Sequence, residues 1–152
     1  MATQGKSQPK DGARTSQPQR RQPESLRLRS IMPSYTVKDI HKSVAWYQDG
    51  LGFYVAERWE DGGELKGVML QAGSCQLGLA QDDFKKGRDR TKGEGFRIWC
   101  DTAQDVDALA TRLRAFGGDI VEGPGKQWDG YSFTAQDPDG FKITISQATA
   151  EK

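Results

Sequence analysis

Histidine is nearly missing from this chain: His41 stands alone among 152 residues. That scarcity gives no support to a Ser-His-Asp relay or to an imidazole-built metal site. Cysteine is scarce as well. Cys75 and Cys100 lie in apolar, strand-like runs with no CxxC partner and no neighbouring histidine, so both are expected as buried free thiols in a reducing compartment. No apolar run approaches the roughly 20 residues that a membrane span needs, and no signal-peptide core is visible, which predicts a cytoplasmic protein. Phosphate-binding loops are absent too. No P-loop occurs, and Gly93-Glu94-Gly95 is too short for a dinucleotide fingerprint.

Charge of one sign is lacking overall, yet it is unevenly spread. The net charge is +1, but residues 1–30 hold Lys6, Lys10, Arg14, Arg20, Arg21, Arg27 and Arg29 against Asp11 and Glu24. The remainder, 15 basic against 19 acidic residues, has no basic face that would make nucleic acid its main partner. Residues 1–28 also lack large apolar side chains. They cannot bury enough surface to offset their ordering entropy, so a disordered basic tail is expected there.

What is present is a repeat. A unit of about 50 residues occurs twice, offset by 66 positions. Asp39-Ile40, Val44 and Tyr47 map onto Asp105-Val106, Ala110 and Leu113. The stretch Phe53-Tyr54-Val55 maps onto Asp119-Ile120-Val121, and the turn Gln71-Ala72-Gly73-Ser74 onto Asp137-Pro138-Asp139-Gly140. The pattern predicts a strand over 31–37, a helix over 40–50 capped by Asp39, a strand over 53–60, and a hairpin of 65–71 with 75–81. The polar segment 82–95 connects the halves. Its Asp82-Asp83 pair adjoins Lys85, Lys86, Arg88 and Arg90 and is read as solvated, as are Glu57 and Glu64.

The second half repeats this order. It has a strand over 96–101, a helix over 103–116 opened by a Thr102/Asp105 capping box and stopped by Gly117-Gly118, and strands near 119–123, 131–136 and 141–146. The fold class is therefore α+β: two tandem βαβββ modules, 31–83 and 95–147, within a domain spanning 29–148.

These residues resemble the vicinal oxygen chelate superfamily, which groups glyoxalase I, extradiol dioxygenases, fosfomycin-resistance enzymes and bleomycin-binding proteins. The resemblance rests on Val37-Lys38-Asp39-Ile40, Ser43, Trp46-Tyr47, Leu51-Gly52-Phe53, Asp105 to Leu109, Gly117-Gly118 and Asp137-Pro138-Asp139-Gly140, and covers about 31–147. It implies an open barrel curled around a cavity, often completed by homodimerisation. In the metalloenzymes of that family a divalent ion is held by the first and last strands of each module, where it acts as a Lewis acid. Carried onto this sequence, the four positions are Met32, Gly78, Ile98 and Thr144. Slippage of the third to Phe96 or Arg97 does not restore a donor. Met, Gly, Ile and Thr are not a donor set for such an ion, so the expectation is a metal-free protein without a cofactor. His41, on the first helical turn opposite Ile40, Val44 and Tyr47, is expected to face solvent.

Strand alternation then assigns the cavity. With Met32 and Thr144 inward, Ser34, Thr36, Ile98, Cys100 and Lys142 follow. Pairing Met69 with Gln76 and Gly67 with Gly78, and Phe133 with Thr144 and Tyr131 with Ser146, predicts the lining. Met32, Met69, Ile98, Tyr131 and Phe133 form apolar walls, and Ser34, Thr36, Gln76 and Thr144 are polar points. Such a pocket suits a flat hydrophobic or aromatic compound. The competing reading is that these side chains fill the barrel. Trp46 is expected to be buried, whereas one bulge would swap the faces of Trp59, Trp99 and Trp128. Three functions remain open at this point: a metal-independent binding protein of the bleomycin-resistance type, a glyoxalase- or dioxygenase-like enzyme, and an interaction protein using the basic tail.

Overall fold

A computed structural model of the protein describes residues 18–127 and 130–147. The chain divides into two compact units, Met1–Pro33 and Ser34–Lys152. In the first unit, residues 18–33 form neither helix nor strand. Glu24 pairs there with Arg20 at 3.0 Å and with Arg27 at 3.3 Å. Much of the basic tail, residues 1–17, lies outside the described residues.

The second unit holds both modules. Strand β1 (Ser34–Val37) leads into α1 (Ile40–Ala45), which continues as a wider π-helical segment, Trp46–Leu51. Then come β2 (Tyr54–Asp61), β3 (Glu64–Ala72) and β4 (Cys75–Gln81). The second module runs β5 (Arg97–Thr102), α2 (Val106–Phe116), β6 (Asp119–Gln127), β7 (Gly130–Gln136) and β8 (Lys142–Gln147). Two open four-stranded sheets result, ordered β1-β4-β3-β2 and β5-β8-β7-β6, with only the first and last strands of each module parallel. The α+β repeat read from the sequence is therefore the fold.

Local chemistry explains the element ends. The Asp39 carboxylate accepts from the backbone N–H of His41 and Lys42 at 3.1 and 3.3 Å, satisfying donors that α1 cannot. Asp105 caps α2 in the same way, through Asp107 N at 3.0 Å. The α2 helix thus starts three residues later than the capping-box reading had it. Thr102 belongs to β5, and its hydroxyl accepts from Gln104 N instead. Gly117 takes a left-handed conformation, φ 98°, and closes α2 as expected.

One face of each sheet is packed. Tyr35, Val37, Val68, Leu70, Leu77 and Leu79 meet Ile40, Trp46, Tyr47 and Leu51, while Phe133, Ala135, Ile143 and Ile145 meet Val106, Ala110 and Leu113. Each buried valine, leucine, isoleucine or phenylalanine among them contributes about 1.5–3 kcal/mol by leaving water. Of the two thiols expected to be buried, only Cys100 packs against this core. Cys75 follows the turn at Gly73-Ser74 and is exposed, because a hairpin end has no helix above it.

The modules are joined through a polar clamp. Asp137, buried in the β7–β8 turn, accepts Tyr47 Oη at 2.7 Å and the backbone N–H of Asp139 and Phe141 at 2.9 Å each. Asp139 in turn accepts from Lys38 N at 3.0 Å and from Ser43 Oγ at 3.3 Å. From the connector, Gly93 N donates to Asp139 O at 3.1 Å, and a Cβ on Gly93 would lie 2.2 Å from the backbone of Gly140 and Phe141. Asp82 anchors the same connector. It is buried rather than solvated, bonded to Lys92 Nζ and Phe84 N with Arg90 nearby, and these hydrogen bonds hold its carboxyl below the usual range.

Candidate ligand-binding site

The packed faces leave each sheet with a second, open face, and strand register decides which residues occupy it. On the first sheet, Ser34 pairs with Gly78 and Thr36 with Ala80, while Met69 also pairs with Gly78. Alternation therefore puts Ser34, Thr36, Met69, Gln76 and Gly78 on the open face, away from Tyr35, Val37, Leu77 and Leu79. The hairpin is two residues out from the expected pairing: Met69 faces Gly78 rather than Gln76, and Gly67 faces Ala80 rather than Gly78. The turn is the two-residue Gly73-Ser74, closed by Ala72 and Cys75. A two-residue slip preserves faces. Gln76 instead pairs with Gln71 and donates to its Oε1 at 3.4 Å. Trp59 pairs with Gly67, and its ring lies 3.3 Å from where a Gly67 Cβ would be, so glycine is what lets the indole lie flat on the sheet.

The second sheet corrects the sequence reading more deeply. Phe133 pairs with Ile145, not Thr144, and Tyr131 with Gln147, not Ser146. A one-residue slip exchanges faces. Phe133 is fully buried in the core, and Ile98, Cys100 and Tyr131 pack against that core. The Tyr131 hydroxyl donates to Asp107 of α2 at 2.8 Å, a bond that raises its pKa. Ile98, Tyr131 and Phe133 are therefore on the helix side and do not line the open face. Met32 belongs to the first unit, where it is exposed. Thr144 keeps its assignment to the open face, as does Lys142.

The cause is a single residue. Ser34 and Trp99 are structural counterparts, because their partners Gly78 and Thr144 are 66 apart, yet they themselves are 65 apart. One extra residue separates β5 from its helix cap: Thr102-Ala103-Gln104-Asp105 against Val37-Lys38-Asp39. The counterpart of Met32 is thus Arg97 rather than Ile98. The open face of the second sheet presents Arg97, Trp99, Ser132, Thr134, Lys142 and Thr144.

These side chains interact. Arg97 Nη1 donates to Thr144 Oγ1 at 3.4 Å, and its guanidinium carbon lies 5.3 Å from the centre of the Trp99 ring. Thr144 and Thr134 share a 2.7 Å hydroxyl hydrogen bond, and both are buried. Both described tryptophans of doubtful facing are now assigned: Trp59 is 50% exposed and Trp99 53%. Trp128 lies outside the described residues. Trp46, by contrast, is buried, and His41 is exposed, as the sequence pattern had it.

Gly78, Thr144 and Arg97 do not fit a divalent cation. Glycine offers no side-chain donor, a neutral hydroxyl is weak, and a guanidinium repels a cation. Among the described residues, no group of three or more His, Cys, Asp or Glu side chains could hold a metal ion. Two open clefts lie elsewhere. One, of about 460 Å³, is lined by residues including His41, Arg58 and Glu60. The other, of about 630 Å³, lies beside Trp46, Phe116 and Pro138. Neither takes in the open-face residues named above.

The profile of the Glyoxalase/Bleomycin resistance protein/Dioxygenase superfamily matches residues 27–145. The chain belongs to that superfamily. Among curated relatives, a "Probable lactoylglutathione lyase" of Synechocystis sp. is 27% identical over 121 aligned residues, covering 76% of this chain and 92% of the relative. Among solved structures, TioX from Micromonospora sp. ML1 superposes with a TM-score of 0.65 at 18% identity, covering 79% of this chain and 98% of its own. TnmS3, described as an antibiotic binding protein from Streptomyces sp. CB03234, gives 0.60 at 22% identity, covering 79% and 95%. At such identities the two structures speak for the superfamily fold.

Proposed function

We propose that this superfamily member is a metal-independent small-molecule-binding protein of the bleomycin-resistance type. It sequesters a hydrophobic or aromatic ligand and works as a homodimer. One observation carries the reading: each module turns an indole, half exposed, onto the unpacked face of its sheet. Exposed apolar surface of this kind, rimmed by polar groups, marks a place of interaction. A second copy laid over these faces would enclose a pocket between Trp59 and Met69 on one side and Trp99 on the other. The residues at the metal-equivalent positions favour capture over Lewis-acid chemistry, and the antibiotic-binding description of TnmS3 agrees with it.

The test is a thermal-shift and fluorescence screen of purified, untagged protein against a panel of aromatic compounds, with mass by analytical ultracentrifugation and metal by elemental analysis. A dimer stabilised by aromatic ligands without stoichiometric metal is the expected result. A cleanly folded dimer that binds no compound in a broad panel sinks the reading.

A lyase reading has one specific support, the name of the Synechocystis relative. Turnover of the methylglyoxal–glutathione hemithioacetal that survives chelators and is lost in Thr144→Ala would establish it instead.

A further inference from the structure

The structure assigns to the open face of β5 and β8 a seat for an organic oxyanion carried on a flat ring: Arg97 grips the anion and Trp99 receives the ring. This rests on the capture reading above and narrows its ligand from hydrophobic in general to aromatic and acidic.

Charge placement is the first argument. Arg97 and Lys142 are register partners in the parallel pair β5–β8 and so project from the same face, side by side. Neither forms an ion pair among the described residues. Three carboxylates share that face, and none forms an ion pair with Arg97 or Lys142 among the described residues. Asp119 pairs with Gln136, which pairs with Lys142, so it stands two strands from Lys142, about 10 Å at the usual strand spacing. Asp101 lies four residues along β5 from Arg97, about 13 Å at strand rise. Glu122 pairs with Thr134 on β6, three strands across from β5, or about 14 Å at the usual strand spacing. Two adjacent cations on a sheet face, without local compensation, favour an anion between them.

Geometry is the second. Arg97 is part-buried and fixed from two sides, by the Thr144 hydroxyl and by the Trp99 ring. Thr144 is itself held by Thr134. A guanidinium has five N–H donors in a planar fork, and Thr144 takes one of them. The fork suits the two oxygens of a carboxylate, and a sulfonate or phosphate monoester presents the same edge. The half-exposed indole alongside offers its face to the ring that carries the anion.

The contrast between the sheets is the third. The corresponding face of the first sheet carries Ser34, Met69, Trp59 and Glu57, with no cation among them. The anionic end of the ligand is therefore drawn to the second module, and the ring system extends towards the first.

A matched pair of probes tests this by isothermal titration calorimetry: 2-naphthoate and its methyl ester, which share the ring and differ in charge. The acid should bind the wild-type dimer at least about tenfold tighter than the ester, the effect of one charge-assisted hydrogen bond. That preference should shrink with added salt and vanish in Arg97→Gln, where acid and ester should bind alike. Arg97→Lys, which keeps charge but loses the fork, should fall between. The wild-type comparison needs no variant, so a misfolded Arg97→Gln does not weaken the test. Equal affinity for acid and ester overturns the oxyanion seat and leaves aromatic capture standing. Binding of neither by the folded dimer overturns both.

Discussion

The two modules share one backbone plan, yet their unpacked sheet faces have diverged in opposite directions. The first has been thinned: Gly67, Gly78 and Ala80 form a shallow floor on which Trp59 lies. The second has been filled: Ser132, Thr134 and Thr144 are buried beneath a layer that includes Arg97 and Trp99. Duplication fixed the helix-side core in both halves, because those positions must interdigitate with a helix whatever the function. The other faces were free to specialise. Under the proposed function, a site built from one of each would be asymmetric, with an aromatic floor that bears Glu57 opposite a cationic wall.

The turns that close the two last hairpins show the same divergence, and they supply the largest predicted effect. In the first module, Gly73 has φ 60° and open space around it. In the second, the turn is packed against Gly93 of the connector, where an added Cβ would overlap backbone atoms of Gly140 and Phe141. Backbone cannot yield as a side-chain tip can. Gly93→Ala should lose about 3 kcal/mol or more by chemical denaturation. Gly73→Ala should lose only the left-handed strain, about 1 kcal/mol. Equal losses would mean that the second turn is no more constrained than the first.

Next in size is the acid at the head of that turn. By the 66-residue offset Asp137 aligns with Gln71, whose amide donates to Gly73 O at 2.9 Å and accepts from Gln76 Nε2 at 3.4 Å. Asp137 holds two backbone donors and the buried Tyr47 hydroxyl, so Asp137→Ala strands all three and should cost about 2–3 kcal/mol. Gln71→Ala should stay within about 0.5 kcal/mol. The pair also predicts a pH dependence. Burial raises the Asp137 pKa above its ordinary value, although the three hydrogen bonds oppose that shift. A carboxyl with a raised folded pKa favours the fold while protonated. That contribution is complete below the unfolded value and is lost as pH climbs through the folded one. Asp137→Asn keeps an acceptor oxygen and cannot ionise, so its stability should be flatter across the acid range. A variant curve parallel to the wild type would remove Asp137 as the source.

How far the sequence told this story follows from the same asymmetry. The repeat, the caps at Asp39 and Gly117 and the buried Trp46 were all legible, because each depends on local residue chemistry. The second open face was not. A fixed 66-residue offset carried Met32 onto Ile98, and the insertion between β5 and its cap moved the true counterpart to Arg97. A local signal did exist. Ile98 and Cys100 alternate with Arg97, Trp99 and Asp101, and a strand with one packed face puts the apolar set towards the core. Alternation read within β5 alone identifies Arg97 and Trp99 as outward. The β7–β8 pairing was harder, since a five-residue loop and its buried aspartate, rather than a two-residue turn, set the register.

The smallest predicted effect separates the two thiols, one from each module. Cys75 is exposed at the start of β4, while Cys100 faces the helix side of β5. Burial pushes the Cys100 thiol up to about 11, with the charge of Cys75 a lesser contribution. At pH 8 only about one Cys100 in a thousand is then thiolate, and the thiolate is the reactive species. A disulfide reagent on native protein should label one thiol quickly, and Cys75→Ser should abolish that phase. The second thiol should react only on unfolding. Two fast thiols in the native protein would mean that the helix side of β5 opens readily, and with it the assignment of Ile98 to the core and of Arg97 to the ligand face would fail.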